Sequence, residues 1–229
     1  NWTMGLDAQV MPYIDQANIA CGFHAGDPMV MHNTLVLAKA NNVSVGAHPG
    51  YPDLVGFGRR SINCSAEEIM ALMQYQIAAI DGVAKSLDIE LEYVKPHGAL
   101  YNDMMSVKEI RTAIFCSLSR YYKPLKLMLQ ATPEIEKHKI EAAHYKIELL
   151  SEAFADRCYD DNGKLLARTK VGAVHNKEKM LAQVKQLKEQ GSVTSISGKT
   201  LTLNADSLCV HGDNIEGVQA IEAIRELIG

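Results

Sequence analysis

The amino-acid sequence predicts an α/β fold in which helices pack around a sheet of parallel strands. Short apolar runs of four or five residues alternate with longer segments of helical periodicity, and this alternation is typical of repeated βα units. A chain of 229 residues, 47% of them hydrophobic, is long enough to bury one complete core. We therefore predict a single domain over residues 1–229, either a β/α barrel of about seven strands or an open doubly wound sheet.

Six strands are predicted, because each of six apolar runs is too short for a helix and is followed by polar residues. They span residues 17–21, 43–47, 91–94, 125–129, 147–150 and 207–210. Two later segments break the alternation. The polar segment 152–173 predicts irregular structure, and residues 192–203, with Ser197-Gly198-Lys199 at their centre, predict a hairpin-like excursion.

Helices are predicted between the strands, and residues 65–87 show the pattern best. Ser65 suits the N-cap, Glu67 and Glu68 suit the first turn, and apolar residues at helical spacing form a stripe that should face the sheet. The same pattern predicts helices over residues 28–41, 106–119, 133–143, 177–190 and 215–228.

Composition and charge exclude several classes of protein. The net charge of -4 is unfavourable for nucleic-acid binding, which requires a clustered excess of Lys and Arg. No apolar run approaches the roughly 20 residues of a membrane-spanning helix, and the first residues do not resemble a signal peptide. The five cysteines are odd in number and form no C-x-x-C motif, which indicates reduced thiols. We therefore expect a cytoplasmic protein.

Polar residues that follow the strands are candidates for an active site, because parallel α/β folds bind ligands at the carboxyl ends of their strands. Four of the eight histidines occupy this position, each within two residues of a Gly or Pro that allows a tight turn: His24, His48, His97 and His211. Other polar residues at the same strand ends are Asp27, Asp53, Arg59, Arg60, Lys95, Tyr101, Asn102 and Asp213. Their common placement predicts one shared active site.

Several of these residues have a structural interpretation as well. Asp27 and Asp213 each precede a predicted helix, so N-capping alone explains an aspartate there. Arg59 and Arg60 could bind a carboxylate or phosphate, or one of them could form a structural ion pair. Lys95 ends a buried strand, where an ammonium group must find a partner or lose its charge. The sequence contains no phosphate-binding loop of the G-x-x-x-x-G-K-[ST] type, so a nucleotide would bind by another route or on another chain.

Five sequence blocks closely resemble the LamB/YcsF family, whose members are A subunits of bacterial 5-oxoprolinase. These blocks are residues 17–27, 46–53, 56–60, 94–102 and 209–213. Weaker similarity at residues 154–157 and 172–174 follows in the same order, so the resemblance runs from residue 2 to the C-terminal helix. Family members begin with a strand that carries an Asp-Leu-Asn-x-Asp segment, which we expect just upstream of Asn1.

The resemblance implies a seven-stranded β/α barrel related to glycoside hydrolases and deacetylases. It also implies ATP-dependent opening of 5-oxo-L-proline to L-glutamate with partner B and C subunits. On this hypothesis His24, His48, His97 and His211 supply the general acid, the base or ligands to a divalent metal. Asp27, Asp53 and Asp213 orient them. Lys95 with Arg59 or Arg60 holds the substrate carboxylate and developing negative charge, and Tyr101 and Asn102 complete the pocket.

Two other functions stay open. One is a stand-alone metal-dependent deacetylase or amidohydrolase, because related barrels bind a divalent ion with His and Asp at strand ends. The other is a non-catalytic substrate-binding subunit whose partners perform the chemistry. The metal candidates are His24, His48 and His97, ATP is expected to be handled with the partner subunits, and a homo-oligomer is a further option.

Overall fold

The computed structural model describes residues 5–212 and 214–229, and the chain forms two compact units. The first unit comprises Asn1–Leu129 and Lys139–Leu149, and the second comprises Gln130–His138 and Leu150–Gly229. The prediction of a single domain stays a prediction. Among the described residues, no helix combines the length and the apolar character that crossing a membrane requires.

The first unit contains a sheet of parallel strands with helices between them. Its strands are β1 (Gln16–Ala20), β2 (Ser44–His48), β3 (Leu91–Val94) and β4 (Lys126–Gln130), which pair in that order. Its helices are α1 (Asp7–Val10), a 3-10 turn (Met11–Tyr13), α2 (Pro28–Ala40), α3 (Ala66–Ser86), α4 (Gly98–Ser106) and α5 (Lys108–Ser119). The chain passes from one unit to the other after Leu129, after His138 within α6 (Ile135–Ala143), and after Leu149.

Local sequence explains where α3 begins and which side it buries. The Ser65 hydroxyl accepts a hydrogen bond from the Glu68 backbone N–H, and the Glu68 carboxylate accepts one from the Ser65 N–H. This capping box satisfies two backbone donors that a helix start leaves unpaired. Ile69, Met73 and Ile77 are buried on one side of the helix, as the apolar stripe predicts.

The second unit combines a parallel strand pair with an antiparallel hairpin. Strand β5 (Leu149–Phe154) pairs with β8 (Ser207–Cys209), and β6 (Ser192–Thr194) pairs with β7 (Thr200–Thr202). Helices α7 (Lys177–Gln190) and α8 (Ile215–Ile228) contribute to an apolar cluster whose buried members are Ala155, Met180, Val184, Ala220 and Ile224.

The predicted elements agree with the structure in most places. All six predicted strands exist and are parallel, four in the first unit and two in the second, and the hairpin at residues 192–203 is confirmed. Strand β5 begins two residues later than predicted and continues to Phe154, because the polar residues Ser151 and Glu152 are buried within it. Helix α4 directly after His97 was not predicted.

Candidate active site

Three of the four predicted histidines lie together in the first unit. His24 follows β1, His48 is the last residue of β2, and His97 stands directly before α4. One nitrogen atom from each ring lies within 4.8 Å of the other two. The rings of His24 and His97 are stacked, with centroids 3.7 Å apart, and the His48 ring meets the His97 ring edge-on. Parallel pairing of β1, β2 and β3 brings these three strand ends to one edge of the sheet.

Backbone carbonyls determine which ring nitrogens of His48 and His97 carry protons. His48 Nδ1 lies 2.6 Å from the Lys95 carbonyl oxygen, and His97 Nε2 lies 2.8 Å from the Phe57 carbonyl oxygen. Because a carbonyl oxygen only accepts hydrogen bonds, both of these nitrogens are donors. A neutral imidazole has a single N–H, so in the neutral form of both rings His48 Nε2 and His97 Nδ1, which lie 3.0 Å apart, present lone pairs to each other.

Burial and neighbouring positive charges disfavour the protonated forms of His24 and His48. Burial, together with the charges of His97 and Arg59, lowers the pKa of His24 to about 2. Burial, followed by the charges of His97, His24 and Lys95, also holds the pKa of His48 well below its usual value. The buried His24 Nδ1 has no hydrogen-bond partner among the residues that the structure describes. Three imidazoles this close together are a donor set that suits a divalent metal ion such as Zn²⁺.

Two glycines allow backbone to pass directly over the histidine rings. Gly58 has a φ of +65°, and a Cβ atom there would lie 2.7 Å from His24 Cβ and 2.8 Å from His97 Cδ2. Gly98 has a φ of +56°, and its Cβ would lie 2.4 Å from the Gly58 carbonyl oxygen. Only glycine satisfies both the left-handed conformation and the close approach at these positions.

Asp53 and Arg60 form an ion pair that closes the loop between them. Arg60 Nε lies 3.1 Å from each Asp53 carboxylate oxygen, and Arg60 Nη2 also contacts Oδ1. The Gly56 N–H donates to the same Asp53 oxygen at 2.9 Å. The hydrogen bond from Arg60 is the main reason that the pKa of Asp53 falls to about 2. Asp53 and Arg60 therefore bind each other, and Arg60 has the structural role that the sequence left open for one of the two arginines.

Arg59, Lys95 and Tyr101 place positive charge and aromatic surface near the histidines. The exposed Arg59 guanidinium lies 5.0 Å from the centroid of the Phe57 ring. Lys95 is buried, and its ammonium nitrogen lies 5.9 Å from the centroid of the buried Tyr101 ring. The charges of Lys95 and Arg59 contribute to the lowered pKa values of His48 and His24, respectively.

The remaining predicted residues of the first unit are Asp27 and Asn102. The Asp27 carboxylate accepts a hydrogen bond of 2.9 Å from the Val30 N–H, so Asp27 is the N-cap of α2. Asn102 lies on α4 with an exposed side chain. Asp213 lies outside the described residues.

His211 belongs to the second unit, where it pairs with a carboxylate that sequence reasoning missed. His211 Nδ1 lies 3.0 Å and 3.1 Å from the two carboxylate oxygens of Asp156. Phe154 pairs with Cys209 in the parallel ladder, so the residues two positions beyond each of them are adjacent. Asp156 was not among the predicted site residues, although its position just after a strand is the feature that could have identified it.

The charge state of Asp156 follows from its partners. Burial raises the pKa of Asp156, but the hydrogen bond and charge of His211, the hydrogen bond from Asn214 and the charge of Arg168 outweigh it. Together they lower the pKa to about 2. Asp156 is therefore an ionised carboxylate in a fully buried position.

Comparison with known proteins identifies relatives along the entire chain. The model of the LamB/YcsF family matches residues 1–229. A protein of Pseudomonas fluorescens, named as the A subunit of 5-oxoprolinase, is 48% identical over 229 residues, which are 100% of this chain and 92% of that protein. A protein of Vibrio campbellii with the same name is 48% identical over 226 residues, covering 98% of this chain and 89% of that protein.

A solved structure shares the fold as well. The crystal structure of a lactam utilization protein from Thermus thermophilus has a TM-score of 0.88 and 35% sequence identity, with 98% of this chain and 89% of that chain covered. Sequence and structure agree on the relationship, and the chain belongs to the LamB/YcsF family.

Proposed function

We propose that this chain is the A subunit of an ATP-dependent 5-oxoprolinase, which opens 5-oxo-L-proline to L-glutamate together with B and C subunits. The observation that carries the proposal is the cluster of His24, His48 and His97 beside the buried Lys95, in a chain 48% identical to proteins named as the A subunit of 5-oxoprolinase. The proposal includes a complete seven-stranded β/α barrel and a cytoplasmic location, which the free state of all five cysteines supports.

The chemistry requires both an energy source and a polar site. A five-membered lactam is stable in water, so its hydrolysis must be coupled to ATP. Transfer of the γ-phosphoryl group to the lactam oxygen releases ADP and makes the ring carbon more electrophilic. Water then attacks that carbon, and the carbon–nitrogen bond breaks as the nitrogen takes a proton, which leaves an acyl phosphate. A second water hydrolyses the acyl phosphate to the glutamate carboxylate and inorganic phosphate. A division of labour, in which partner subunits handle ATP, agrees with the absence of a phosphate-binding loop from the sequence.

Positive groups of the first unit are suited to bind the anions of this reaction. The buried Lys95 can stabilise negative charge that develops on the lactam oxygen or the phosphoryl group. Arg59 is the better candidate for the substrate carboxylate, because Arg60 is already bound to Asp53. Asp53 and Arg60 line a cavity of about 380 Å³ together with Phe23, Leu54 and Val55, so this pair can shape the substrate pocket. Tyr101 and Asn102 complete the proposed site.

A divalent metal ion fits the three histidines of the first unit. Each of the three rings offers one nitrogen as a ligand, and the carbonyls of Lys95 and Phe57 fix the orientation of two of the rings. A bound ion would supply electrophilic polarisation of a carbonyl or activation of water. His211 is the proposed general acid and base, and Asp27 and Asp213 stay candidates for orienting roles.

Glutamate release from 5-oxoproline tests the proposal. The purified chain should be inactive alone and active only with ATP and the B and C subunits. In that complex, His97→Ala should abolish turnover while circular dichroism shows an intact fold. ATP-independent hydrolysis by the chain alone would instead support a metal-dependent amidohydrolase, which the three-histidine cluster also suits. Full activity of the complex after His97→Ala and Lys95→Met would indicate a non-catalytic subunit.

A further inference from the structure

We infer that Asp156 is a positioning residue that holds His211 in the tautomer with its proton on Nδ1, so that Nε2 is the atom that accepts a proton during the reaction. The inference rests on the proposed function, because it assigns the residue that makes His211 an effective base.

The geometry of the pair fixes the tautomer. Both carboxylate oxygens of Asp156 lie within 3.1 Å of His211 Nδ1, and an ionised carboxylate only accepts hydrogen bonds. Nδ1 must therefore carry a proton in every state in which Asp156 is ionised. The single N–H of the neutral ring is then used, and Nε2 has a lone pair.

Four hydrogen bonds to carbonyl oxygens fix the backbone on both sides of Asp156. Gln183 Nε2 donates to the carbonyl oxygens of Phe154, Ala155 and Arg157, at 2.7, 3.3 and 2.9 Å. The Asp156 carbonyl oxygen accepts a hydrogen bond of 3.0 Å from the His175 N–H. A carboxylate on so fixed a backbone can orient an imidazole with little freedom.

The surroundings of His211 restrict its ring further. The Phe154 ring stacks against it, with centroids 5.6 Å apart and planes 21° from parallel. Asn214 Nδ2 lies 3.3 Å from Asp156 Oδ2 and supplies the carboxylate with a second donor. Among the described residues, the charges of His211 and Arg168 lower the pKa of Asp156, and the charge of Asp156 acts to raise the pKa of His175.

Asp156 and His211 differ in burial: a base must be accessible to its substrate, whereas the carboxylate that orients it can be buried. The Asp156 side chain is completely buried, whereas 25% of the His211 side chain is accessible. Solvent or a small substrate can therefore reach His211 but not Asp156. A purely structural ion pair could be completely buried, whereas a general base must have an accessible imidazole.

On this proposal, His211 Nε2 carries one proton from water to the lactam nitrogen. Nε2 takes a proton from water as the water oxygen bonds to the activated ring carbon. The resulting imidazolium is stabilised by the Asp156 carboxylate, which does not itself become protonated. The same proton passes from Nε2 to the lactam nitrogen as the carbon–nitrogen bond breaks.

Nitrogen NMR of the intact chain with ¹⁵N-labelled histidine tests the tautomer directly. In the neutral form of the ring, recorded at alkaline pH, His211 should show a protonated Nδ1 and an unprotonated Nε2. His211→Gln assigns the resonances by their loss. In Asp156→Asn, the preference for the Nδ1-protonated form should decrease. A wild-type His211 protonated on Nε2 would overturn the inference, whether or not the protein hydrolyses 5-oxoproline.

Kinetics of the reconstituted complex provide the second readout. Asp156→Asn should lower kcat at least 100-fold and displace the basic-group limb of its pH profile, as loss of an oriented base requires. Asp88→Asn is the matched control, because Asp88 is exposed and has a φ of +53° that asparagine adopts readily. Wild-type kcat and an unchanged pH profile in Asp156→Asn would contradict a positioning role. If Asp156→Asn fails to fold, the wild-type tautomer still decides the question.

Discussion

His48 Nε2 and His97 Nδ1 lie 3.0 Å apart, although each ring already donates its single proton to a backbone carbonyl on its far side. Two lone pairs at this distance repel unless a proton or a metal ion lies between or beside them. Burial and the nearby positive charges disfavour an additional proton on His48. A metal ion with nitrogen ligands at about 2.0–2.1 Å accommodates such a separation.

We predict that the wild-type chain binds about one divalent ion and that His48→Ala lowers this content several-fold. The variant removes a lone-pair donor and frees the Lys95 carbonyl. Plasma mass spectrometry after incubation with Zn²⁺ and desalting measures the effect without any assay of activity. His32→Ala, which alters a histidine of α2, should keep the wild-type metal content. Equal metal content in wild-type and His48→Ala protein would refute the site.

We predict that Gly58→Ala lowers the free energy of unfolding by at least about 1 kcal/mol and also lowers metal content. An alanine at this φ costs roughly 1–2 kcal/mol, and its Cβ would collide with His24 and His97. Urea denaturation measures the loss. Gly82→Ala is the control, because a Cβ there meets nothing within 4 Å and alanine favours the interior of α3 by up to about 1 kcal/mol. Equal stability of the two variants would contradict the close packing at Gly58.

We predict that Asp53→Asn and Arg60→Gln each lower kcat/KM of the complex on the order of 10- to 100-fold. Each change breaks the ion pair that closes the loop carrying Phe57 and Gly58 against the histidines. The double variant should be no worse than the worse single variant, because both remove the same interaction. Strictly multiplicative losses would mean that the two residues act independently.

We predict that Asp81→Asn lowers the free energy of unfolding by about 1–3 kcal/mol at pH 7. Asp81 accepts hydrogen bonds from Tyr121 and Tyr122 and pairs with Lys123, at 2.9, 2.6 and 2.9 Å. The exposed Asp88→Asn should be close to wild type in the same urea titrations.

The advantage of Asp81 over asparagine should also depend on pH. Burial raises the pKa of Asp81, but the hydrogen bonds from Tyr122, Lys123 and Tyr121 lower it overall below the ordinary value of 3.8. A folded-state pKa below the unfolded value stabilises the protein above the unfolded value. The stabilisation should therefore disappear as the pH falls from about 5 through the folded-state pKa. A difference between wild type and Asp81→Asn that does not shrink as the pH falls would contradict this assignment.

Local signals accounted for most of the elements. Ser65 and Glu68 form the capping box at α3, and Asp27 caps α2, because a helix start needs side-chain acceptors regardless of what packs against it. The extent of β5 could not be predicted in this way. Ser151 is buried because its hydroxyl and its N–H both bind the Asp206 carboxylate, 55 residues away in sequence.

The sequence by itself determined the parallel α/β character, the strand-end location of the four histidines and the family. These properties depend on periodicity and on motifs, both of which are local in the chain. Tertiary structure decided which residues interact. The register of β5 and β8 paired Asp156 with His211, and the carbonyls of Lys95 and Phe57 determined which nitrogens of His48 and His97 face each other. Hydrogen bonds between distant segments depend on strand register and loop conformation, which no local pattern encodes.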